Sequence, residues 1–283
     1  VGPRRIGKTS FLFHLSDPET RQQHGLGETD VIVYIDGQCV DVPDKAGFYQ
    51  WLWSHIKLEL PDPPTGSGFA DQVTSFDEFH DAVRTVRAQG IRLILLFDEF
   101  DTIALQAGLD QRLSGQLRSL SRWLVYVLAS LRPLHRMAEM DGSAVDSPFH
   151  NVFDPIELGL LNECEANEMI TTLLDRVKQP GLFTPEDLGQ VYALAGSHPY
   201  LLQLACYHLF DLKIRAQAKG KTVDYAEVQH EFRLDAFPCF EHMWRTLNQE
   251  TKVSLVRFVE NPGGSGDVQA LAQQCLIYDG RLI

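Results

Sequence analysis

Two hydrophobic periods divide this chain. Up to residue 158, short apolar runs alternate with helical stripes; from Glu163 onward the pattern is helical alone. Residues 31–36, 91–97 and 124–129 are near-continuous apolar runs, rich in β-branched side chains. A strand buried on both faces of a parallel sheet has this composition. Residues 156–158 read as a candidate last strand. Between the runs lie helices over 48–60 and 111–123, and a third with Phe76, Phe79, Val83 and Val86 on one stripe. Near the start, 10–15 reads as a helix ended by Asp17-Pro18, followed by a polar surface loop over 21–30. Residues 61–68, rich in Pro and Gly, read as another loop. Alternation of this kind predicts an α/β domain: a parallel sheet wrapped by helices on both faces.

Beyond residue 158, Ala166, Met169, Ile170, Leu173, Leu174 and Val177 fall on one helical face. Pro180-Gly181 breaks it, and Thr184-Pro185-Glu186-Asp187 starts a second helix with an N-cap and a proline in its first turn. A third, apolar on most sides, runs over 200–214 after Gly196-Ser197-His198-Pro199. Two further stretches follow at 223–234 and 240–247. The tail reads as helix (251–260), turn (261–266), short helix (267–274) and a hairpin over 275–283 with Asp279-Gly280 at its tip. That is a winged-helix pattern cut off within the wing. The expected domains are 1–158, an α/β domain; 159–235, a helical domain; and 236–283, an incomplete winged helix.

Composition adds constraints. The fractions of hydrophobic (44%) and charged (22%) residues are those of a globular protein. The net charge of −13 argues against a large nucleic-acid footprint. From Ala236 onward, four basic residues face five acidic ones, and the short helix at 267–274 has no Lys or Arg. A winged helix that reads DNA needs phosphate contacts, so this one is expected to pack or regulate. The five cysteines contain no C-x-x-C and read as reduced, buried thiols. No H-E-x-x-H or G-x-S-x-G occurs, and no apolar run approaches the length of a membrane span. A cytoplasmic location is expected. The aromatic residues Phe48, Tyr49, Trp51 and Trp53 read as core, with a partner surface as the alternative.

The chemistry is concentrated at two places. Gly2 to Thr9 spells G-x-x-x-x-G-K-[ST], a phosphate-binding loop. Its glycines let the backbone curl, and its N–H groups form an anion nest running into a helix start. Gly2, Pro3, Arg4, Arg5, Ile6, Gly7, Lys8, Thr9 and Ser10 are the expected nucleotide-binding residues. Lys8 reaches the β- and γ-phosphates, and Thr9 offers its hydroxyl to Mg²⁺. Only Val1 precedes the loop, so the strand that normally carries it is absent and the chain reads as the interior of a longer protein. Downstream, the apolar run 91–97 ends in Asp98-Glu99, the Walker B pattern: Asp98 for Mg²⁺, Glu99 to polarise the attacking water. The run at 124–129 ends in Ser130-Leu131-Arg132, where Ser130 or Arg132 is the candidate γ-phosphate sensor. Both positions also read simply as a strand end meeting solvent. No Asn-Lys-x-Asp occurs, so ATP/ADP rather than a guanine nucleotide is the expected ligand, with Mg²⁺.

Gly2-Pro3-Arg4-Arg5-Ile6-Gly7-Lys8-Thr9-Ser10 and the strand end Leu95-Leu96-Phe97-Asp98-Glu99-Phe100-Asp101 together resemble STAND ATPases. The Gly196-x-x-Pro199 helix start, Leu117-Arg118-Ser119-Leu120 and Ser147-Pro148-Phe149-His150-Asn151 carry the resemblance over essentially the whole chain. It is nearest to the archaeal-type and AAA-like members found in bacterial multidomain signalling proteins. The resemblance implies a P-loop domain, a helical lid and a winged helix with the nucleotide between them. It puts Pro199 near the base or ribose; as a residue, Pro199 also reads as an ordinary helix N1. It implies a slow, regulatory ATPase, a switch whose ADP/ATP exchange opens the modules and permits homo-oligomerisation, with sensor and effector domains outside this chain. The alternative is a DNA-associated AAA+ ATPase of the replication-initiator or transposition-helper type; a weakly hydrolysing scaffold is a third reading. Arg4, Arg5, Arg118 and Arg132 are candidate arginine fingers by position alone.

Overall fold

The computed structural model describes residues 1–40, 42, 44–61, 72–134, 149–261, 271–272, 275–278 and 281–282. The chain divides into two compact units: Val1–Gly2 with Lys8–Glu157, and Pro3–Gly7 with Leu158–Ile283.

The first unit is built on three parallel strands, β1 (Asp30–Asp36), β2 (Arg92–Asp98) and β3 (Leu124–Leu128), in the order β1-β2-β3. Their register puts Val33, Leu95 and Tyr126 side by side, and Tyr34, Leu96 and Val127 beside them on the opposite face. The first face carries the larger core. It is covered by α3 (Lys45–Glu59), α4 (Phe76–Ala88), α5 (Phe100–Gln106) and α6 (Gln111–Leu120), which contribute Phe48, Trp53, Phe79, Val83, Phe100 and Leu117. The aromatic residues Phe48, Tyr49 and Trp53 are therefore core. The second face is covered by α1 (Lys8–Ser16) through Leu12 and Leu15, with Leu26 beside them. Helices thus lie on both faces of a parallel sheet. Residues 21–30 are not all loop. Asp17 accepts the N–H groups of Glu19 and Thr20 and Pro18 occupies the first turn of a new helix, α2 (Pro18–Gln23). The dipeptide that ends one helix is the cap that starts the next. Residues 156–158 are not a strand: the Ile156 carbonyl accepts one bond, from the Val1 amine at 2.7 Å, and one bond is no ladder. The loop expected at 61–68 lies outside the described residues apart from Pro61.

The second unit is helical: α7 (Glu163–Arg176), α8 (Pro185–Ala195), α9 (Pro199–Ala218), α10 (Tyr225–Thr246) and α11 (Gln249–Glu260). Capping boxes at Asn162/Glu165 and Thr184/Asp187 start the first two. Ala166, Ile170 and Leu174 pack against Leu202, Ala205, Leu209, Val228 and Phe232. Val177, the last of the expected stripe, falls at the α7 C-cap and is half exposed. The two stretches expected at 223–234 and 240–247 form one helix, α10, with Pro238 inside it. Proline deprives the Leu234 carbonyl of its partner. Leu234 is exposed, which leaves that carbonyl on the watered side of the helix. In the tail, Phe258 and Leu271 form a small core, and β4 (Ile277–Tyr278) pairs antiparallel with β5 (Arg281–Leu282). The turn at 262–266 and most of the expected short helix lie outside the described residues.

Candidate functional site

The ends of β1 and β2 and the start of α1 converge in the first unit. Lys8 and Thr9 open α1, whose first-turn N–H groups lack intrahelical acceptors. Lys8 is buried, 9% exposed, and its ammonium donates to the Gly2 carbonyl at 2.8 Å. Gly2 N–H in turn donates to the Ser130 carbonyl at 3.2 Å, just past the end of β3. Gly7 takes φ +103°, where a side chain would be strained, and nothing lies within 4 Å of a Cβ built there. Its glycine serves conformation, not space. Arg5 also has a positive φ. In the second unit its guanidinium lies 4.2 Å from the centre of the Tyr200 ring, while Arg4 is exposed and Ile6 buried.

Asp98 ends β2 at 4% exposure, and three donors reach its carboxylate. Its Oδ2 accepts the Thr9 hydroxyl at 2.6 Å and the Tyr34 hydroxyl at 3.0 Å, and its Oδ1 accepts the Glu99 N–H at 3.0 Å. Burial, then the adjacent Asp98 carboxylate, pushes the Tyr34 phenol well above its ordinary pKa. It remains a donor at any physiological pH.

Glu99 follows in the left-handed region, φ 48° and ψ 48°, at the N-cap of α5. For a non-glycine residue that conformation costs about 1–2 kcal/mol. The Glu99 carbonyl accepts the Thr102 N–H at 2.9 Å, and the Phe100 N–H is tied to the Ala129 carbonyl at 2.9 Å, which holds the turn. The Glu99 carboxylate accepts the Gln38 side-chain amide at 2.9 Å. Gly37, beside it, sits against this turn. A Cβ there would meet the Glu99 and Asp98 carbonyls at 2.6 and 2.7 Å. Asp101 is turned to a structural task, accepting the Leu131 N–H at 2.7 Å.

Of the expected site residues, Lys8, Thr9, Asp98 and Glu99 are brought together. Ser130 is buried, and its hydroxyl donates to the Arg132 carbonyl at 2.8 Å. Arg132 is exposed. Pro199, in the second unit, opens α9. The residue before it, His198, is wholly buried, and neither ring nitrogen has a hydrogen-bond partner among the described residues. Burial, reinforced by the Arg5 charge, lowers its pKa to about 4, so the imidazole is neutral. Tyr34, Gln38 and Gly37 were not singled out from sequence; His198 entered there only as part of the Gly196–Pro199 helix start. Tyr34, Gln38 and Gly37 belong to no spaced motif; the one available signal was position, since Gly37 and Gln38 follow a predicted strand of the parallel sheet.

Among the described residues no group of three or more His, Cys, Asp or Glu is arranged to hold a metal. The Thr9 hydroxyl and Asp98 carboxylate, in direct contact, are a two-oxygen set. That suits Mg²⁺, which takes few protein ligands and completes its shell with water and phosphate oxygens. No described helix is long and apolar enough to cross a membrane. The three buried cysteines, Cys206, Cys239 and Cys275, have pKa values raised by burial, to about 12 for Cys206, and Cys39 and Cys164 are exposed.

No family model and no curated protein matches the chain. Solved structures do. The Walker-type ATPase PABY2304 of Pyrococcus abyssi is similar with a TM-score of 0.59 at 14% identity, over 89% of this chain and 71% of that one. The Aeropyrum pernix ORC2 protein is similar in its ADPNP-ADP complexes, with a TM-score of 0.59 at 15% identity, over 98% of this chain and 71% of that one. In its ADP form the TM-score is 0.54 at 15% identity, over 94% and 67%. At such identities the likeness speaks for a shared fold, that of archaeal Walker-type ATPases.

Proposed function

We propose that this chain binds and hydrolyses ATP with Mg²⁺, as an AAA+ ATPase of the replication-initiator kind. One observation carries the chemistry: Thr9, at the helix start, touches Asp98, at the strand end, with Glu99 next to it. In this reading the loop N–H groups and Lys8 hold the phosphates, and Lys8 exchanges its bond to the Gly2 carbonyl for the β/γ oxygens. Thr9 and Asp98 would hold Mg²⁺, whose charge would neutralise the phosphate oxygens. Glu99 takes the proton of the attacking water. Its left-handed backbone and the Gln38 amide restrain it, which favours slow turnover. Glu99→Gln is expected to bind ATP as the parent does and to turn it over about 100-fold more slowly. Single-turnover hydrolysis with radiolabelled ATP checks this, and an unchanged rate removes Glu99 from the mechanism.

The initiator reading rests on the fold shared with the Aeropyrum pernix ORC2 protein. Its test is binding to duplex DNA across a salt series. A replication-initiator role predicts affinity that falls steeply as salt rises. A second reading, a STAND-type signalling switch that opens and oligomerises on ADP/ATP exchange, is favoured by the net charge of −13. It predicts no salt-sensitive DNA binding and a change in oligomeric state when ADP is replaced by ATP, read by light scattering.

A further inference from the structure

Asp98 is held by a hydroxyl that belongs to neither nucleotide motif. Tyr34 pairs in register with Leu96, two residues before Asp98, so Tyr34 and Asp98 share the sheet face that α1 covers. They are diagonal neighbours across parallel strands, a separation that a phenol spans and a short side chain does not. The hydroxyl reaches Asp98 Oδ2, the oxygen that also accepts from Thr9. The Tyr34 ring is itself held. Phe13 of α1 stacks on it at 4.8 Å between centroids and 26° between planes. Phe13 is 54% exposed, so its packing is directed at Tyr34 and not at the core. Phe13 lies five residues beyond Lys8 on the same helix, so the helix that opens the phosphate site also braces the residue gripping Asp98.

We infer that Tyr34 is a positioning residue for the Mg²⁺–nucleotide complex. Its hydroxyl fixes the rotamer of Asp98, and Phe13 fixes Tyr34. The inference rests on the ATPase reading above. Outer partners that orient a ligating carboxylate commonly contribute about 10-fold or more to metal affinity. Thr9 and the Glu99 N–H alone leave the carboxylate freer to turn once the phenol oxygen is removed.

Tyr34→Phe removes that oxygen and keeps the ring. The measurement is ADP affinity by calorimetry on the whole chain, once with MgCl₂ and once with EDTA. The ratio of the two dissociation constants reports the Mg²⁺ contribution without any turnover. In Tyr34→Phe the ratio is expected to shrink about 10-fold while the affinity in EDTA stays within about twofold. A ratio equal to the parent's, or an equal loss with and without Mg²⁺, overturns the inference and leaves the ATPase reading standing. A parent protein that binds ADP with no dependence on Mg²⁺ overturns the metal-site reading and the inference with it. Should Tyr34→Phe yield no folded protein by circular dichroism, Phe13→Ala, at an exposed position, reads the same ratio. A smaller ratio is expected there, and an unchanged one overturns the inference.

Discussion

At the scale of single residues, buried charge is tolerated only where donors surround it. Asp187 shows this in the helical unit. Its side chain is 1% exposed, and it accepts from the Thr184 N–H and hydroxyl, from Tyr225 at 3.0 Å and from Lys213. Burial opposes its charge, but Lys213, then Thr184 and Tyr225, outweigh burial and lower its pKa. A depressed carboxylate stabilises the fold above its unfolded pKa, near 3.9, and that stability is lost as pH falls through the folded value. Asp187→Asn is therefore expected to lower stability at pH 7 by about 3 kcal/mol, since it leaves Lys213 without its counter-charge. Urea melts at a series of pH values check this. The gap between parent and variant starts to narrow near pH 4 and closes only as pH falls through the lowered folded value. From sequence Asp187 read only as part of a helix start. The capping-box spacing was legible, but the lysine and tyrosine that turn a cap into a buried node come from two other helices.

At the scale of elements, the strand ends decide how Asp98 and Glu99 are held. Asp36 and Asp98 lie opposite one another in register, so the segment after β1 is laid directly along the turn after β2. Gly37 makes that approach possible, with the Asp98 and Glu99 carbonyls where a Cβ would be. Gly37→Ala is expected to destabilise the α/β unit by about 1–3 kcal/mol, the usual range for an overpacked site. It is also expected to lower ATP turnover more than ADP affinity, because the displaced backbone is that of Glu99. Thermal melting and steady-state kinetics separate the two effects. Element type was well marked in the sequence wherever a run was long: all three strands and the amphipathic stripes of α4 and α7 stand within a residue or two of their predicted bounds. At Pro18 the reading of a helix end hid a helix start, and the gap expected between 234 and 240 is absent because packing of Val228, Phe232, Ala236 and Cys239 keeps one helix whole.

At the scale of the whole molecule, ligand binding and stability are linked by mass action. Nucleotide at about 100 times its dissociation constant adds roughly 2.7 kcal/mol. For a chain of this size that raises the melting temperature by about 5–10 °C. Lys8→Ala is expected to lose the shift with both ADP and ATP, because the loop N–H groups alone leave the β- and γ-phosphates without their fixed cation. Differential scanning fluorimetry with each nucleotide measures it, and a shift that survives in the variant removes Lys8 from the site.

By itself the sequence determined the G-x-x-x-x-G-K-[ST] motif, the apolar strand ending in Asp98-Glu99 and the parallel α/β pattern. These depend on local spacing: glycines where the backbone must curl, a period of two or of 3.6 where one face is buried. Tertiary structure decided what surrounds those residues. Tyr34 on Asp98, Gln38 on Glu99 and Gly37 beneath both are contacts between neighbouring strands, set by register. Register is fixed by the packing of the whole sheet, so no spacing along one strand records it.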